Sequence, residues 1–455
     1  MKNMIKRFAG PVIISGVMIA ALAGCGAKNV TTTEQSASVQ TTEGVTSVIT
    51  ETVSAPANNE TEAVNETAAD AGSVENSAQQ EQSTEANSSA AATEAVTVSA
   101  NVTSDGAIDA SDLFTDRDLR QTADLSEAVS YTVSDGEDIE ITSEGVYVIS
   151  GSASNATIIV DADSEDKVQI VLDGVSITND DFPAIYVKSA DKVFITTTDS
   201  DNTLAVTGTF TADGETNTDA VIFSRDDLVF NGLGTLTIDS TDNGIAGKDD
   251  IKITGGTLII TCESDAIEAH DSIAIADGNI SIVTRNDGLK AKDSDDDSTG
   301  YIYICGGKIY IEAGDDGIHG TTIIQIDGGD LTITAAEGIE ATYVQINGGD
   351  IYIKASDDGI NAGRKSSAYS PVIEFNGGYT TVVMGAGDTD GIDSNGDIYV
   401  NGGIIDVTGN STFDYDGTAE YNGGTIIVNG NETTTIPNQF GGGRGGMGGG
   451  PGGRR

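Results

Sequence analysis

Carboxylates recur at one position of a repeated phrase between Ile238 and Gly417. The phrase is a short apolar alternation, an acidic residue, Gly or Ala, and then usually Ile or Leu. Seven of its eight copies place a carboxylate at the equivalent position: Asp265, Asp287, Asp316, Glu337, Asp358, Asp390 and Asp416. If successive copies stack, neighbouring carboxylates repel by about 3.5 kcal/mol at an effective dielectric of about 20. This acidic edge therefore needs a counter-charge.

A hard divalent cation is the counter-charge that these residues favour. Ca²⁺ takes about six to eight oxygen ligands, whereas transition metals fit poorly because the chain has only two histidines. The alternative is that the acids form turns and cap backbone N–H groups, which we expect for about half of them. We predict Ca²⁺ as cofactor, above all around Asp315–Asp316 and Asp357–Asp358. The candidate ligands are Asp265, Asp287, Asp315, Asp316, Glu337, Asp357, Asp358, Asp388 and Asp390.

Tyrosines supply a second kind of candidate site. Tyr310 and Tyr352 fall at the same position of copies two apart, which is about 10 Å in a stacked sheet and comparable to a disaccharide step. Tyrosine rings can stack on sugars, but tyrosine is also a common strand former. The sequence leaves both roles open, and we name Tyr310, Tyr352, Lys308 and Lys354 as candidate carbohydrate contacts.

The elements that position these residues are strands. Strict alternation, as in Tyr301–Ile304 and Asp350–Ile353, predicts strands with one buried face. Glycine pairs recur every 20–22 residues, apart from insertions at 292–300 and 363–371. This pattern predicts an all-β fold, a right-handed parallel β-helix with coils of about 20–22 residues. A disordered linker precedes it.

Three features of this predicted solenoid can be checked against a structure. The residues before the glycine pairs, often Asn, are expected to take the left-handed conformation and to stack through their amides. The segment 112–129, charged and weakly helical, is expected to cap the open N-terminal end. Cys262 and Cys305 are about two coils apart and are expected to be free, buried thiols.

The chain divides into four regions. Residues 1–25 resemble a bacterial lipoprotein signal ending in Leu22-Ala23-Gly24-Cys25. The resemblance implies that Cys25 is lipidated and that the protein is anchored on the outer face of the cell membrane. The alternative is cleavage of a simple secretion signal without lipidation. Residues 26–106 are a disordered Ser/Thr/Glu-rich tether, 107–440 the β-helix, and 441–455 a disordered Gly/Arg-rich tail.

The charge balance excludes nucleic acid as a partner. The net charge is −50, and residues 107–440 hold 60 acidic and 15 basic residues. Three arginines in the tail do not offset this. We expect a monomer.

The chain also resembles a known family. The segments FTDRDLRQTADLSEAV (114–129), DKVQIVLDGVSI (166–177) and PAIYVKSADKVFI (183–195), with the following repeats, resemble the carbohydrate-binding-domain family of bacterial surface β-helix proteins. The resemblance implies a non-catalytic β-helix that binds calcium and acidic or β-linked plant polysaccharides, such as polygalacturonate or cellulose.

Three functions remain open at this point. The first is a membrane-anchored, Ca²⁺-dependent polysaccharide-binding or adhesion protein without catalytic residues. The second is a Ca²⁺-dependent polysaccharide lyase, which needs a base such as Lys290 or Lys292; surface ion pairs are the better interpretation of these lysines. The third is a purely structural surface solenoid.

Overall fold

The computed structural model describes residues 108–386 and 389–438. Within that range the chain is all-β, as predicted, and contains no helix. No element there is a helix suited by length and hydropathy to span a membrane. Cys25, Asp388 and the regions predicted for 1–25, 26–106 and 441–455 lie outside the described residues.

The described residues form 36 strands. The first eight are β1 (Val129–Thr132), β2 (Ile139–Ile141), β3 (Gly145–Ser154), β4 (Ile158–Asp161), β5 (Lys167–Asn179), β6 (Ile185–Ser189), β7 (Lys192–Thr197) and β8 (Asp201–Val206). The next thirteen are β9 (Ala220–Ser224), β10 (Asp227–Gly232), β11 (Thr235–Ser240), β12 (Asn243–Gly247), β13 (Ile251–Ile253), β14 (Thr257–Cys262), β15 (Ile267–Ala269), β16 (Ser272–Ile275), β17 (Asn279–Thr284), β18 (Leu289–Ala291), β19 (Tyr301–Ile304), β20 (Lys308–Glu312) and β21 (Asp316–Gly320). The last fifteen are β22 (Ile323–Ile326), β23 (Asp330–Ala335), β24 (Glu337–Ala341), β25 (Tyr343–Ile346), β26 (Asp350–Ala355), β27 (Ile360–Ala362), β28 (Val372–Phe375), β29 (Tyr379–Met384), β30 (Asp390–Ser394), β31 (Asp397–Val400), β32 (Ile404–Thr408), β33 (Ser411–Tyr415), β34 (Ala419–Tyr421), β35 (Thr425–Val428) and β36 (Asn431–Thr433).

The strands belong to two long sheets. A twelve-stranded sheet stacks every third strand, from β2 and β4 through β6, β9 and β12 to β33. The other sheet has 24 strands in two branches that part at β5, which pairs with both β7 and β8. The first branch continues through β10 and β13 to β34, and the second through β11 and β14 to β35. Pairing is parallel except between β35 and β36, so each repeat adds one strand to the twelve-stranded sheet and one to each branch.

The alternation in the sequence determines which side chains enter the core. In β26, Ile351 and Ile353 are fully buried, whereas Tyr352 and Lys354 between them are exposed. Equivalent apolar residues stack along the repeats, as Ile245, Ile267 and Leu289 do in the twelve-stranded sheet. Burial of these columns stabilises the fold by roughly 1.5–3 kcal/mol per fully buried aliphatic side chain.

The glycine pairs make the turns into the second branch. The second glycine of each pair has a positive φ, as at Gly349 (93°) and Gly378 (76°), where a side chain is strained. The left-handed residue is therefore this glycine, and the expectation for the preceding Asn is wrong. The amide ladder is confirmed: Nδ2 of Asn376 donates to Oδ1 of Asn347 at 2.8 Å, and Asn401 donates likewise to Asn376.

The N-terminal segment, residues 108–128, lies along the first branch rather than across the open end. The Ile108 N–H donates to Oε1 of Gln325 in β22 at 2.6 Å. Further along, Leu113 packs beside Tyr301 and Tyr303, and the Asp118 carbonyl accepts a hydrogen bond from Asn231 in β10. The segment predicted to cap the open end therefore covers the side of the sheet instead, and it contains no helix. Its apolar side chains pack against the outward face of the first branch.

Two cysteines lie among the described residues. Cys262 is a free, buried thiol, as predicted. Cys305 is buried but not free, so the prediction of a free thiol is wrong there.

Candidate functional site

Six of the seven acidic side chains that the sequence placed at one position stand in one column at the entry to the twelve-stranded sheet; the expectation for Asp416 is wrong, because Ser411 is the residue that pairs with Asp390. Asp316 pairs in register with Glu337, and Asp390 with Ser411. We call this column A; its described acids are Asp265, Asp287, Asp316, Glu337, Asp358 and Asp390. Glycine follows most of them because the repeats approach closely here: a Cβ at Gly338 would lie 2.4 Å from the Gly359 carbonyl oxygen.

One oxygen of several column A acids has a structural role. Oδ1 of Asp265 accepts the backbone N–H of Asp287 at 3.0 Å, and Oδ1 of Asp287 accepts that of Asp316 at 3.1 Å. Asp358 accepts the N–H of Asp390 in the same way, at 3.2 Å. The capping role that the sequence offered as an alternative is therefore present, and it leaves the second oxygen of each carboxylate for other partners.

A second column runs beside column A, three residues further along each repeat. Register pairing aligns Glu268 with Lys290, Lys290 with His319, and His319 with Glu340, followed by Asn361, Asp393 and Asp414. We call this column B. Two adjacent bases, Lys290 and His319, stand between acids in this column, and they face the free oxygens of column A.

Lys290 neutralises the N-terminal part of column A. Its Nζ lies 2.8 Å from Oδ2 of Asp265 and 3.1 Å from Oδ2 of Asp287. All three side chains are at least four-fifths buried. Burial alone would lower the pKa of Lys290, but its hydrogen bond to Asp265 and the two carboxylates raise it, so the ammonium stays charged.

His319 neutralises the middle of the column. Its Nδ1 lies 2.5 Å from Oδ2 of Asp316 and 3.2 Å from Oε2 of Glu340. Burial alone would lower the pKa of His319, but the hydrogen bonds to both carboxylates raise it to about 9. Lys365, which comes from the insertion at 363–371, adds a contact of 2.6 Å to Oε1 of Glu340.

The C-terminal part of column A has acids but no such base. Among the described residues, no Lys, Arg or His forms an ion pair with Asp358, Asp390 or Asp393. Burial, together with repulsion from Asp358 and Asp390, raises the pKa of Asp393 to about 7. Burial likewise raises the pKa of Asp358 to about 6. A bound cation would relieve this repulsion.

Among residues 108–386 and 389–438, three groups of side chains could each hold a cation with ligand atoms within 4.8 Å of one another. They are Asp287, Asp316 and His319; Asp316, Glu337 and Glu340; and Asp227, Asp249 and Asp250. Only the all-oxygen groups suit Ca²⁺. In the second group, burial and the charge of Glu340 raise the pKa of Glu337 to about 8.

The two predicted Asp–Asp pairs of the acidic turns are split between column A and the exposed turns. Asp315 and Asp357 are exposed at the turns, outside the three groups, while their neighbours Asp316 and Asp358 stand in column A. The group of Asp227, Asp249 and Asp250 lies where the chain leaves the twelve-stranded sheet. Its signal in the sequence is the repeated Asp–Asp pair at 226–227 and 249–250.

The two insertions meet above column B and form a cleft. Ser367 donates its N–H and its hydroxyl to the carboxylate of Asp297, at 2.9 and 3.1 Å. The cleft has a volume of 390 Å³ and is lined by Lys292, Asp293, Ser294, Asp295, Asp296, Asp297, His319, Thr321 and Lys365. A groove of 540 Å³ along the glycine turns is larger, but its only charged lining residue is Asp277. The polar cleft is the better candidate for chemistry.

The predicted carbohydrate contacts lie on the outward face of the second branch. Tyr310 pairs with Thr332 and Thr332 with Tyr352, so the tyrosines are two strands apart, about 10 Å. They are 41% and 39% exposed. Lys308 and Lys354 are exposed on the same two strands, and Nζ of Lys308 lies 3.8 Å from Asp330.

In the part of the chain that the structure describes, ten large apolar or aromatic side chains are highly exposed, and six of them occupy this one face: Ile259, Val283, Tyr310, Tyr352, Tyr379 and Ile404. Tyr301 and Tyr303, which alternate with buried isoleucines in β19 of the first branch, are covered by the N-terminal segment and are 2% exposed. The second branch therefore carries the open aromatic surface.

Comparisons with known proteins place the chain in a family. A protein from Acetivibrio thermocellus described as a carbohydrate-binding domain-containing protein is 42% identical over 123 residues, which are 26% of this chain and 43% of that protein. The match thus spans less than half of the relative's length. A solved structure described as a polysaccharide lyase-like protein from C. thermocellum, a gadolinium derivative, is 24% identical, with a TM-score of 0.31 over 66% of this chain and 96% of that one.

The family model covers more of the chain than the relative does. The model described as carbohydrate-binding domain-containing protein matches residues 135–391, which include columns A and B up to Asp390 and the tyrosine face of the second branch. The chain therefore belongs to the family of carbohydrate-binding domain-containing proteins.

Proposed function

We propose that this protein is a non-catalytic, Ca²⁺-dependent polysaccharide-binding protein, built as a right-handed parallel β-helix and held on the outer face of the cell membrane through lipidated Cys25. Its ligands are acidic or β-linked plant glycans such as polygalacturonate or cellulose. Membership of the family supports a carbohydrate ligand. The anchor and its location rest on the sequence of residues 1–25 alone.

The observation that carries the proposal is the placement of Tyr310 and Tyr352. Both rings are exposed at one register position of a flat parallel sheet, with the small side chain of Thr332 between them. A glycan chain lying along the stacking direction meets both rings at once. Each ring contributes roughly 1 kcal/mol to binding.

Ca²⁺ has two roles in this proposal. The carboxylates of Asp316, Glu337 and Glu340 converge, and the acids around Asp393 lack a base among the described residues. A cation at either place lowers the repulsion within the sheet. It also lowers the repulsion between an acidic glycan and a protein of net charge −50.

Binding measurements with four proteins test the proposal. Wild type, Y310A/Y352A and Y131A are titrated with cello-oligosaccharides and with oligogalacturonates, in calcium and in excess EDTA. Tyr131 is the matched control because it is 37% exposed but lies at the N-terminal end. We expect Y310A/Y352A to bind about thirtyfold more weakly and Y131A to bind as wild type. D393N, the fourth protein, is expected to need more calcium.

Two results would contradict this function. Equal affinity of Y310A/Y352A and wild type removes the tyrosine face from the site. Tight oligogalacturonate binding that is unchanged in excess EDTA removes the calcium requirement.

A lyase is the second candidate, and one observation favours it. Lys292 is exposed in the cleft between the insertions, close to the convergent acids, and has no ion-pair partner among the described residues. A lysine so placed could remove the proton beside a uronate carboxylate, after which the bond to the neighbouring sugar breaks. Ultraviolet absorbance of an unsaturated product, formed by wild type and lost in K292M, would establish this activity in place of pure binding.

A further inference from the structure

Basic side chains form a third column on the twelve-stranded sheet, although the domain is strongly acidic. Val187 pairs with Ser224, Ser224 with Gly247, Gly247 with Ala269, and Ala269 with Ala291. The residue after each of these is basic, and the five are Lys188, Arg225, Lys248, His270 and Lys292. We call them column C.

Backbone hydrogen bonds continue the stacking into column C. The N–H of Arg225 donates to the Val187 carbonyl at 3.1 Å, and that of Lys248 to the Ser224 carbonyl at 2.9 Å. His270 and Lys292 repeat the pattern at 3.1 and 2.9 Å. The five bases are therefore spaced by about 4.8 Å and span about 19 Å along the stacking direction.

The side chains of column C extend over the sheet. Nζ of Lys188 lies 5.2 Å from the Tyr186 ring centre, and Nζ of Lys248 lies 5.7 Å from that of Phe223. Lys248 also lies 2.9 Å from Nε2 of His270. These contacts hold the ammonium groups of Lys188 and Lys248 over the outer face of the sheet.

The positive charge of column C is only partly compensated. Lys188 faces Asp213 at 3.6 Å. His270 lies 3.9 Å from Asp293, but burial and the nearby Lys248 lower its pKa, so it adds no fixed positive charge. Arg225, Lys248 and Lys292 are exposed, and none of them has an ion pair with a described carboxylate. Lys292 also lines the cleft between the insertions, together with His319 and Lys365.

The acids that follow column C in the chain are turned to other partners. Asp226 accepts the N–H of Ala190 at 3.1 Å, and Asp249 accepts that of Asp250 at 3.0 Å. Both are partly buried, whereas Arg225 and Lys248 before them are exposed. At these two positions an approaching polyanion therefore meets the base before the acid.

We propose that column C is the binding track for the carboxylate groups of an acidic polysaccharide, which lies along the stacking direction and runs toward the cleft. The proposal rests on the proposed polysaccharide-binding function and names where an acidic chain contacts the protein's own cations. The spacing of one base per repeat suits a polymer with one carboxylate on each sugar. Neutral glucans have no group for this track and use the tyrosine face alone.

The test compares R225Q/K248Q with a matched variant, R285Q/K167Q. Arg285 and Lys167 are surface residues outside the column, each paired with an acid, and their loss changes the net charge equally. Affinities for oligogalacturonate and for cello-oligosaccharide are measured by calorimetry in calcium, at about 0.05 and about 0.3 M NaCl. An exposed ion pair contributes at most about fivefold to affinity.

We expect R225Q/K248Q to bind oligogalacturonate about tenfold more weakly than wild type at low salt, with little difference at high salt because exposed charges are then screened. R285Q/K167Q should match wild type, and cello-oligosaccharide binding should not change in either variant.

Distinct outcomes overturn the two proposals. The proposed binding track is wrong if R225Q/K248Q and wild type bind oligogalacturonate with equal affinity at low salt. It is also wrong if wild type binds only the neutral glucan. In this experiment the proposed function itself fails if wild type binds neither glycan. Equal losses in both double variants would trace the effect to net charge and also reject the track.

Discussion

Replacing Lys290 by Met tests whether the ammonium group of this lysine is the counter-charge for the N-terminal part of column A, and whether Ca²⁺ from solution can take its place. Lys290 lies between Asp265 and Asp287, whose side chains are 6% and 5% exposed. Removing one partner of a buried ion pair costs about 3–5 kcal/mol, because a charge remains buried without compensation. K290M keeps most of the length of the side chain and removes its ammonium group, with the charge and the hydrogen bonds to the two carboxylates.

The expected change in melting temperature follows from the size of the domain. Unfolding entropy is about 2 cal/mol/K per residue, or about 0.7 kcal/mol/K for the described part of the chain. A loss of 3–5 kcal/mol then lowers the midpoint by about 4–7 °C. Circular dichroism melts in EDTA measure this directly. K308M is the control, since Lys308 and Asp330 are 72% and 60% exposed, and such pairs contribute at most about 1 kcal/mol.

Adding calcium to K290M then tests whether the carboxylates of Asp265 and Asp287 can bind Ca²⁺. If the freed carboxylates of K290M can bind Ca²⁺, millimolar calcium should restore much of the lost midpoint, with a larger effect than in wild type. A midpoint of K290M within 1 °C of wild type in EDTA would refute the conclusion that Lys290 is the counter-charge of this part of column A.

Three further predictions concern the same sheet. The ion pairs of His319 raise its pKa to about 9. Their contribution to stability is therefore fully present below the usual histidine pKa of about 6.5, and it is lost as the pH rises through 9. Thermal melts of wild type from pH 6 to 10 in EDTA should show this decline, and melts of H319N should not. Gly338→Ala should destabilise the sheet by several kcal/mol, because its Cβ would lie 2.4 Å from a backbone oxygen, and an unchanged denaturation midpoint would contradict the packing argument. D393N should raise the melting temperature in EDTA, since the raised pKa of Asp393 reflects burial and repulsion, and it should reduce the gain from calcium.

Much of the fold could be predicted from the sequence because its signals are local and repeated. Strict alternation gave the strands around Ile351 and Ile353, and the glycine pairs gave the turns. The segment 112–129 could not be placed in the same way, since its partners, such as Tyr303, are distant in the chain. Its charge suggested an exposed cap, but Leu113 is 1% exposed.

The candidate site was predictable in part for the same reason. Column A appears in the sequence because Asp and Gly repeat together. Column B does not repeat in residue type: Lys290 and His319 occupy equivalent positions but differ chemically. Only the register reveals that each faces an acid of column A.

The bases of column B determine which acids of column A still need a bound cation. A uniform row of acids would call for cations along its whole length, but Lys290, His319 and Lys365 already meet this demand from Asp265 to Asp316 and at Glu340. The demand that remains is at Glu337 and at the acids around Asp393. Calcium should therefore stabilise the C-terminal repeats more than the N-terminal ones. Hydrogen exchange with and without calcium measures this difference repeat by repeat; equal protection throughout the sheet would place the ion elsewhere.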